Sequence, residues 1–201
     1  MSNDISIKFK KNNLENNILF DGDDALFKNL ISEVKTYFEY GCGKSTEYMY
    51  KKSNASIFSV DTSKEWAAKT LNLSKDSNHE RLNVKWIDVG DVADWGYPIS
   101  FEKKQNFVKY ANWFWEFGLK PDLVVIDGRF RILCFLTSIK FASIGTQIIF
   151  DDYTNRPFYH VAEDFLKIKD TCGRQALFEV DKGSKKLVDE SVISEFKNVI
   201  G

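Results

Sequence analysis

The chain has 201 residues, 43% hydrophobic and 28% charged, with a formal net charge of −1. This is ordinary globular composition with enough apolar content for one sizeable core. It excludes a fibrous or low-complexity chain, gives no basic block to favour nucleic acid as the main partner, and holds no apolar run long enough to span a bilayer.

The three cysteines, Cys42, Cys134 and Cys172, are odd in number and lack a C-x-x-C pair. They read as reduced thiols, and the polar, acidic Met1-Ser-Asn-Asp4 does not read as an export signal. The expected compartment is therefore the cytoplasm. With only His79 and His160 available, a zinc site is not expected, and His79 reads as an exposed residue of a polar linker.

Residues 1–22 form a lead-in to a single domain spanning 1–201. Ile5 to Lys10 alternates apolar and polar residues, as a short edge strand would. Asp21-Gly-Asp-Asp24 is a helix start signal, with acids at the positive end of the helix dipole. The helix follows over 24–33, with Ala25, Leu26, Leu30 and Ile31 inward. Val34 to Glu39 reads as the first core strand.

Gly41 and Gly43 come next, and Ser45 and Thr46 open a second helix running to Lys52. A strand meeting a helix through two glycines brings backbone close to a ligand, because glycine has no Cβ and tolerates positive φ. The helix beyond it presents unpaired N–H groups. Ala55 to Asp61 is the second strand and Lys64 to Leu73 a helix. Val84 to Asp88 is the third strand, followed by the turn Val89-Gly-Asp-Val92. Between Ser100 and Phe117 the stripe Phe107, Tyr110, Ala111, Phe114, Trp115 has helical spacing and reads as core.

Leu123 to Ile126 is a continuous apolar run, as a central parallel strand should be, and it ends in Asp127-Gly128. A helix over 131–141, a strand Thr146 to Phe150, and a helix over 159–168 follow. Ala176 to Val180 and Lys186 to Asp189, separated by Lys182-Gly183, read as an antiparallel pair at the sheet margin. The whole is an α/β chain: one doubly wound, Rossmann-like, mostly parallel sheet with helices on both faces and an antiparallel edge at the C-terminus. Ligands then belong at the carboxyl ends of the strands. Glu39, Asp61, Asp88, Asp127, Asp151 and Asp152 all fall there.

The segment Glu39-x-Gly41-x-Gly43-x-Ser45-Thr46 resembles motif I of the class I S-adenosylmethionine (SAM) methyltransferases. The resemblance extends over about Asp24 to Phe178. It implies SAM as cofactor, with the glycine turn along its methionine and ribose, Asp61 on the ribose hydroxyls, and Asp88 or Asp91 at the adenine. Asp61 and Asp88 or Asp91 also have plainer roles as a helix cap and a turn residue. Val125-Ile-Asp-Gly-Arg-Phe-Arg131 with Asp152-Tyr-x-x-Arg-x-x-Tyr159 is similar to a group of uncharacterised bacterial methyltransferases. Asp151-Asp-Tyr153 is more distantly similar to metal-dependent sugar O-methyltransferases. A Walker A loop would need Gly at position 38, where Phe38 stands, and a dinucleotide fingerprint would need Gly at 46, where Thr46 stands. The remaining nucleotide reading rests on Gly43-Lys44-Ser45.

Methyl transfer requires holding a sulfonium cation, aligning an acceptor and removing its proton. Asp127, Asp151 and Asp152, ending adjacent strands, are candidate ligands for a divalent cation such as Mg²⁺; hydration and helix capping are the other reading. Asp127 and His160 are the candidate proton acceptors, and His160 also reads as a surface residue. Arg129, Arg131 and Arg156 either grip an anionic group of the acceptor or pair with Asp127 and Asp151. Cys42 reads as packing. The expected acceptor is a small molecule or sugar methylated on oxygen, bordered by Trp95 to Trp115 and Tyr153 to Tyr159. A non-catalytic accessory protein of the same fold is the alternative.

Overall fold

Strands β1 (Thr36–Tyr40), β2 (Ser56–Asp61), β3 (Leu82–Trp86), β4 (Leu123–Ile126), β5 (Gln147–Phe150), β6 (Asp170–Cys172) and β7 (Gln175–Glu179) form one sheet in the order β3-β2-β1-β4-β5-β7-β6. The structure, a computed structural model, describes residues 19–20, 23–75 and 79–200. The expected edge strand at Ile5 to Lys10, the first half of the Asp21 to Asp24 start signal and the side chain of His79 lie outside the described residues.

Strands β1 to β5 are mutually parallel where they pair, and the order reverses between β1 and β4. That reversal is the topological switch point, where the connections leave to opposite sides and open a crevice. Alternation along each strand sends side chains to two faces. Phe38, Phe58, Val124, Ile126, Ile148 and Phe150 join one core. Tyr37, Ile57, Leu123, Val125 and Ile149 join the other. Helices α1 (Ala25–Leu30) and α2 (Lys44–Lys52) cover the second face. Helices α4 (Gln105–Asn112), α5 (Arg131–Phe141) and α7 (Glu190–Phe196) cover the first, while α3 (Lys64–Leu71) lies against β2 and β3. No helix of the described residues is long and apolar enough to cross a membrane.

The aromatic stripe is core: Phe107, Tyr110, Ala111 and Phe114 are fully buried. The Tyr40 hydroxyl donates to Ala111 O at 2.7 Å and accepts from Trp115 Nε1 at 3.0 Å. Asp122 ties the strand starts together by accepting from the Lys35 and Thr36 amides at 2.8 and 2.9 Å.

Three expectations change. The antiparallel edge exists, but β7 pairs with β6, not with Lys186 to Asp189. Gly173, at φ +56°, supplies the left-handed residue that a tight two-residue hairpin needs. Residues 184–187 instead form the helix α6 (Ser184–Leu187), started by Asp181 accepting from the Ser184 amide at 2.7 Å. The expected helix over 159–168 is a 3-10 segment, Pro157–Asp164. Strand β3 also ends earlier than expected, at Trp86, so Asp88 stands two residues beyond it.

Helix α5 ends without glycine, and Lys185 takes the role of cap. Its Nζ donates to the carbonyls of Ile139, Lys140 and Ala142 at 3.2, 2.7 and 2.6 Å. Lys185→Met removes these charge-assisted bonds and the favourable end of the dipole. It should lower stability by about 1–2 kcal/mol in urea denaturation; an unchanged midpoint would show that the carbonyls are served equally well by water.

Candidate functional site

The chain leaves β1 at Gly41, with φ +90°. A Cβ there would stand 2.8 Å from the Cα and the N of Gly128, and a Cβ on Gly128 would come 2.7 Å from Gly41 N and collide with the Tyr110 hydroxyl. The two glycines therefore let the ends of β1 and β4 meet backbone to backbone at the switch point. Gly43 is different: its φ of 179° is extended and no atom lies within 4 Å of a Cβ placed on it.

Glu39 is fully buried one residue inside β1 and turns toward α2. Its two carboxylate oxygens accept from the Ser45 and Thr46 hydroxyls. Thr46 Oγ1 in turn accepts from the Gly43 amide at 3.0 Å. Burial pushes the Glu39 carboxyl up to about 7, and the two hydroxyls pull against that rise. Glu39, Gly41, Gly43, Ser45 and Thr46 are thus brought together, with Glu39 bracing the turn from behind.

Asp61 grips the same turn from the β2 side. Its Oδ2 accepts from the Cys42 amide at 2.8 Å and its Oδ1 from the Ser63 amide at 2.6 Å. Burial raises its carboxyl, and these amides oppose the rise. Oδ2 also accepts from the Cys42 thiol at 3.5 Å, whereas Oδ1 retains a second lone pair and can accept from a ligand while Oδ2 holds Cys42. Burial and Asp61 push the Cys42 thiol up, so it is unreactive and serves as packing. Asp88 pairs with Lys103 at 2.6 Å and accepts from the Gly90 amide at 3.0 Å, which lowers its carboxyl, Lys103 first. Asp91 is exposed on the following turn.

The carboxylates of Asp127, Asp151 and Asp152 converge, with one oxygen of each within 4.8 Å of the others. Three guanidiniums meet them. Arg131, buried at the start of α5, reaches Asp127 at 3.2 Å and Asp152 at 3.1 Å, and also donates to Gly128 O and Asp151 O. Arg156 pairs with Asp152 at 2.7 Å. Arg174 forks onto Asp151 at 3.2 and 2.6 Å and reaches Asp152 at 3.1 Å. Three carboxylates matched by three guanidiniums do not fit Mg²⁺, which would stand against three fixed positive charges. The metal expectation is corrected on that ground. Of the pairing expected with Asp127 and Asp151, Arg131 makes the first, while both Arg131 and Arg156 pair with Asp152 in place of Asp151.

Arg174 was not foreseen, and its place follows from topology. Strand β7 runs antiparallel to β5 with Phe150 opposite Ala176, so the residue two before Ala176 emerges beside Asp151 and Asp152. Burial and Asp151 push the Asp127 carboxyl well up, against Arg131, yet 30% of its side chain stays accessible at the crevice. His160 is exposed on the 3-10 segment; its Nε2 lies 3.1 Å from the Tyr153 carbonyl oxygen, which leaves Nδ1 for any proton transfer. Sequence reasoning also passed over the Tyr110 and Tyr159 hydroxyls, which are buried without hydrogen-bond partners. Three non-glycine residues at this end of the molecule have positive φ: Trp95 (61°), Phe130 (56°) and Asp152 (58°). Each costs about 1–3 kcal/mol and persists only where the surroundings impose it, as at ligand sites. A surface groove lined by Leu30, Pro121 and Ile144 lies at the opposite, amino-terminal edge of the sheet and contains none of these residues.

No protein-family model matches the sequence, and no curated protein matches it. Among solved structures, the chain is similar to a methyltransferase-like protein from Silicibacter pomeroyi, at 29% identity over 81% of this chain and 89% of that one, with a TM-score of 0.70. It also shares its fold with TrmN from Thermus thermophilus, at 8% identity over 73% of this chain and 44% of that one, with a TM-score of 0.50. The seven-stranded architecture is the Rossmann-like methyltransferase fold.

Three outcomes follow from the site's electrostatics. The folded Glu39 carboxyl, at about 7, lies above its ordinary 4.5. Its favourable contribution is therefore complete below about 4.5 and is lost as pH rises toward 7. Between these limits wild type should lose on the order of 3 kcal/mol relative to Glu39→Gln in urea denaturation across pH; parallel pH curves would refute the shift. Chelator or added Mg²⁺ should leave the melting temperature unchanged, whereas Arg174→Met, which strands buried Asp151, should cost about 3–5 kcal/mol.

Proposed function

We propose that the chain is a SAM-dependent methyltransferase that methylates an oxygen of a small molecule or sugar. The observation that carries this reading is the glycine turn at the β1–β4 switch point, braced by Glu39 and pinned through the Cys42 amide to Asp61. That turn offers a bare backbone against which an extended ligand can lie, and Asp61 keeps acceptor capacity for a ribose diol. SAM supplies, when bound, an electrophilic methyl group on a positively charged sulfur.

The chain's own residues supply the rest. The carboxylates of Asp61 and Asp127 border the crevice and favour a cationic ligand. Asp127 is the candidate proton acceptor for the acceptor hydroxyl: its raised affinity for a proton and its accessible edge suit that role. Trp95, Tyr97, Phe101 and Phe158 are exposed around the same end, and such faces suit a sugar or aromatic ring. Arg131, Arg156 and Arg174 hold Asp151 and Asp152 in place and take no direct part.

The test is a thermal shift of the purified protein with SAM, S-adenosylhomocysteine and ATP. Ligand at 100 times its Kd stabilises by about 2.7 kcal/mol. The first two should raise the midpoint, and Asp61→Ala should abolish the rise. A shift with ATP alone, lost in Lys44→Ala, would replace this reading with a nucleotide-dependent one.

A further inference from the structure

Four arginines cluster beyond the carboxyl ends of β4 and β5, and they are not equivalent. Arg131, Arg156 and Arg174 are each paired with carboxylates. Arg129 has no ion-pair partner among the described residues, and its buried Nε has no hydrogen-bond partner. It follows Gly128, the residue that abuts the glycine turn. Its guanidinium carbon lies 6.0 Å from the centre of the Tyr97 ring, which belongs to the exposed aromatic loop after β3.

Two more polar atoms are left over nearby. The Tyr110 and Tyr159 hydroxyls belong to side chains with no solvent exposure and lack partners. The Arg129 amide lies close enough to Tyr110 to lower its phenol against the larger effect of burial, without meeting hydrogen-bond geometry. The Tyr110 hydroxyl lies against Gly128, next to Arg129, and the Tyr159 ring lies 5.8 Å from the neighbouring Arg131 guanidinium. Burial and then Arg131 disfavour the charged form of Arg129, and Asp127 favours it. Helix α5 begins here with Phe130 as its N-cap residue, which offers no side-chain acceptor. An unpaired guanidinium, two unpartnered hydroxyls and an uncapped helix start all call for acceptor oxygens.

We propose that Arg129, with the Tyr110 and Tyr159 hydroxyls, is an oxyanion-binding subsite at the switch point, taking a carboxylate or phosphate of the bound ligand. The planar guanidinium fork matches such a group. Asp151 and Asp152 are already matched by other arginines, and the one carboxylate of the three that acts on Arg129, Asp127, is shared with Arg131. The oxyanion has two sources under the methyltransferase reading, on which this inference rests: the α-carboxylate of the cofactor, or an acidic acceptor.

Calorimetric titration of wild type, Arg129→Gln, Arg129→Lys and Tyr159→Phe separates them. The ligands are S-adenosylhomocysteine, 5′-methylthioadenosine, which lacks the amino-acid part, and inorganic phosphate added to protein with and without saturating S-adenosylhomocysteine. If the cofactor supplies the oxyanion, Arg129→Gln weakens S-adenosylhomocysteine by about 30–100-fold and leaves methylthioadenosine within about twofold. Arg129→Lys and Tyr159→Phe then give smaller losses. If the acceptor supplies it, S-adenosylhomocysteine affinity is unchanged and phosphate binding is lost in Arg129→Gln. Equal affinities in both arms, in variants that melt as wild type does, overturn the proposal and leave Arg129 as a support for Tyr97. If wild type binds neither adenosyl ligand, the methyltransferase reading fails, and phosphate binding with its dependence on Arg129 alone decides the subsite.

Discussion

The approach of two backbones at Gly41 and Gly128 is the constraint on which the rest of the structure depends. Parallel neighbours β1 and β4 end side by side, Tyr40 opposite Ile126, and their chains must leave in opposite directions. With any side chain at either position the ends would separate, because a Cβ would meet backbone atoms within 3 Å. The contact brings Cys42, which follows Gly41, to the same end of the sheet as Asp127 and Arg129, which flank Gly128. Glu39 and Asp61 secure it, one from each side, through hydroxyl and amide donors.

The paired charges beside it solve a second problem. Carboxylates at the ends of β4 and β5 would repel one another in a poorly hydrated place. A hard cation is one remedy and guanidinium is another; the chain uses the latter, drawing Arg131 from a helix start, Arg156 from a loop and Arg174 from a hairpin. Asp151 and Asp152, paired and buried, are costly to disturb, so they act as a rigid wall, while Asp127 keeps an accessible edge. Beside that wall, the Arg129 Nε and the two tyrosine hydroxyls are among the buried atoms without hydrogen-bond partners. Phe130 and Asp152, both at positive φ, place backbone strain at the same carboxyl-end edge of the sheet.

Much of the fold was legible in the sequence. The run Leu123 to Ile126 read as a central strand, the stripe from Phe107 to Trp115 read as core, and acids followed the strand ends. The two glycines after β1 marked a close backbone approach, although not which backbone would approach. These features are local: periodicity of two or 3.6 residues, an uninterrupted apolar run, a glycine turn. Each is written into a few consecutive residues and survives in any packing.

What the sequence could not settle depended on residues far apart in the chain. The hairpin partner of β7 was misplaced because Gly173 and Gly183 offer the same turn signal, and only pairing in the sheet chooses between them. Arg174 lies 23 residues from Asp151 and meets it because an antiparallel strand reverses the chain beside β5. The choice between metal and guanidinium is a matter of charge balance in three dimensions, as is the difference between paired Arg131 and unpaired Arg129 two residues earlier. The sequence by itself determined the parallel strands of the sheet, their carboxyl-end acids and the glycine turn, because hydrophobic patterning and backbone sterics act locally. The tertiary structure decided which charges cancel and which polar groups remain for a ligand, because electrostatic pairing depends on distance in space and not along the chain.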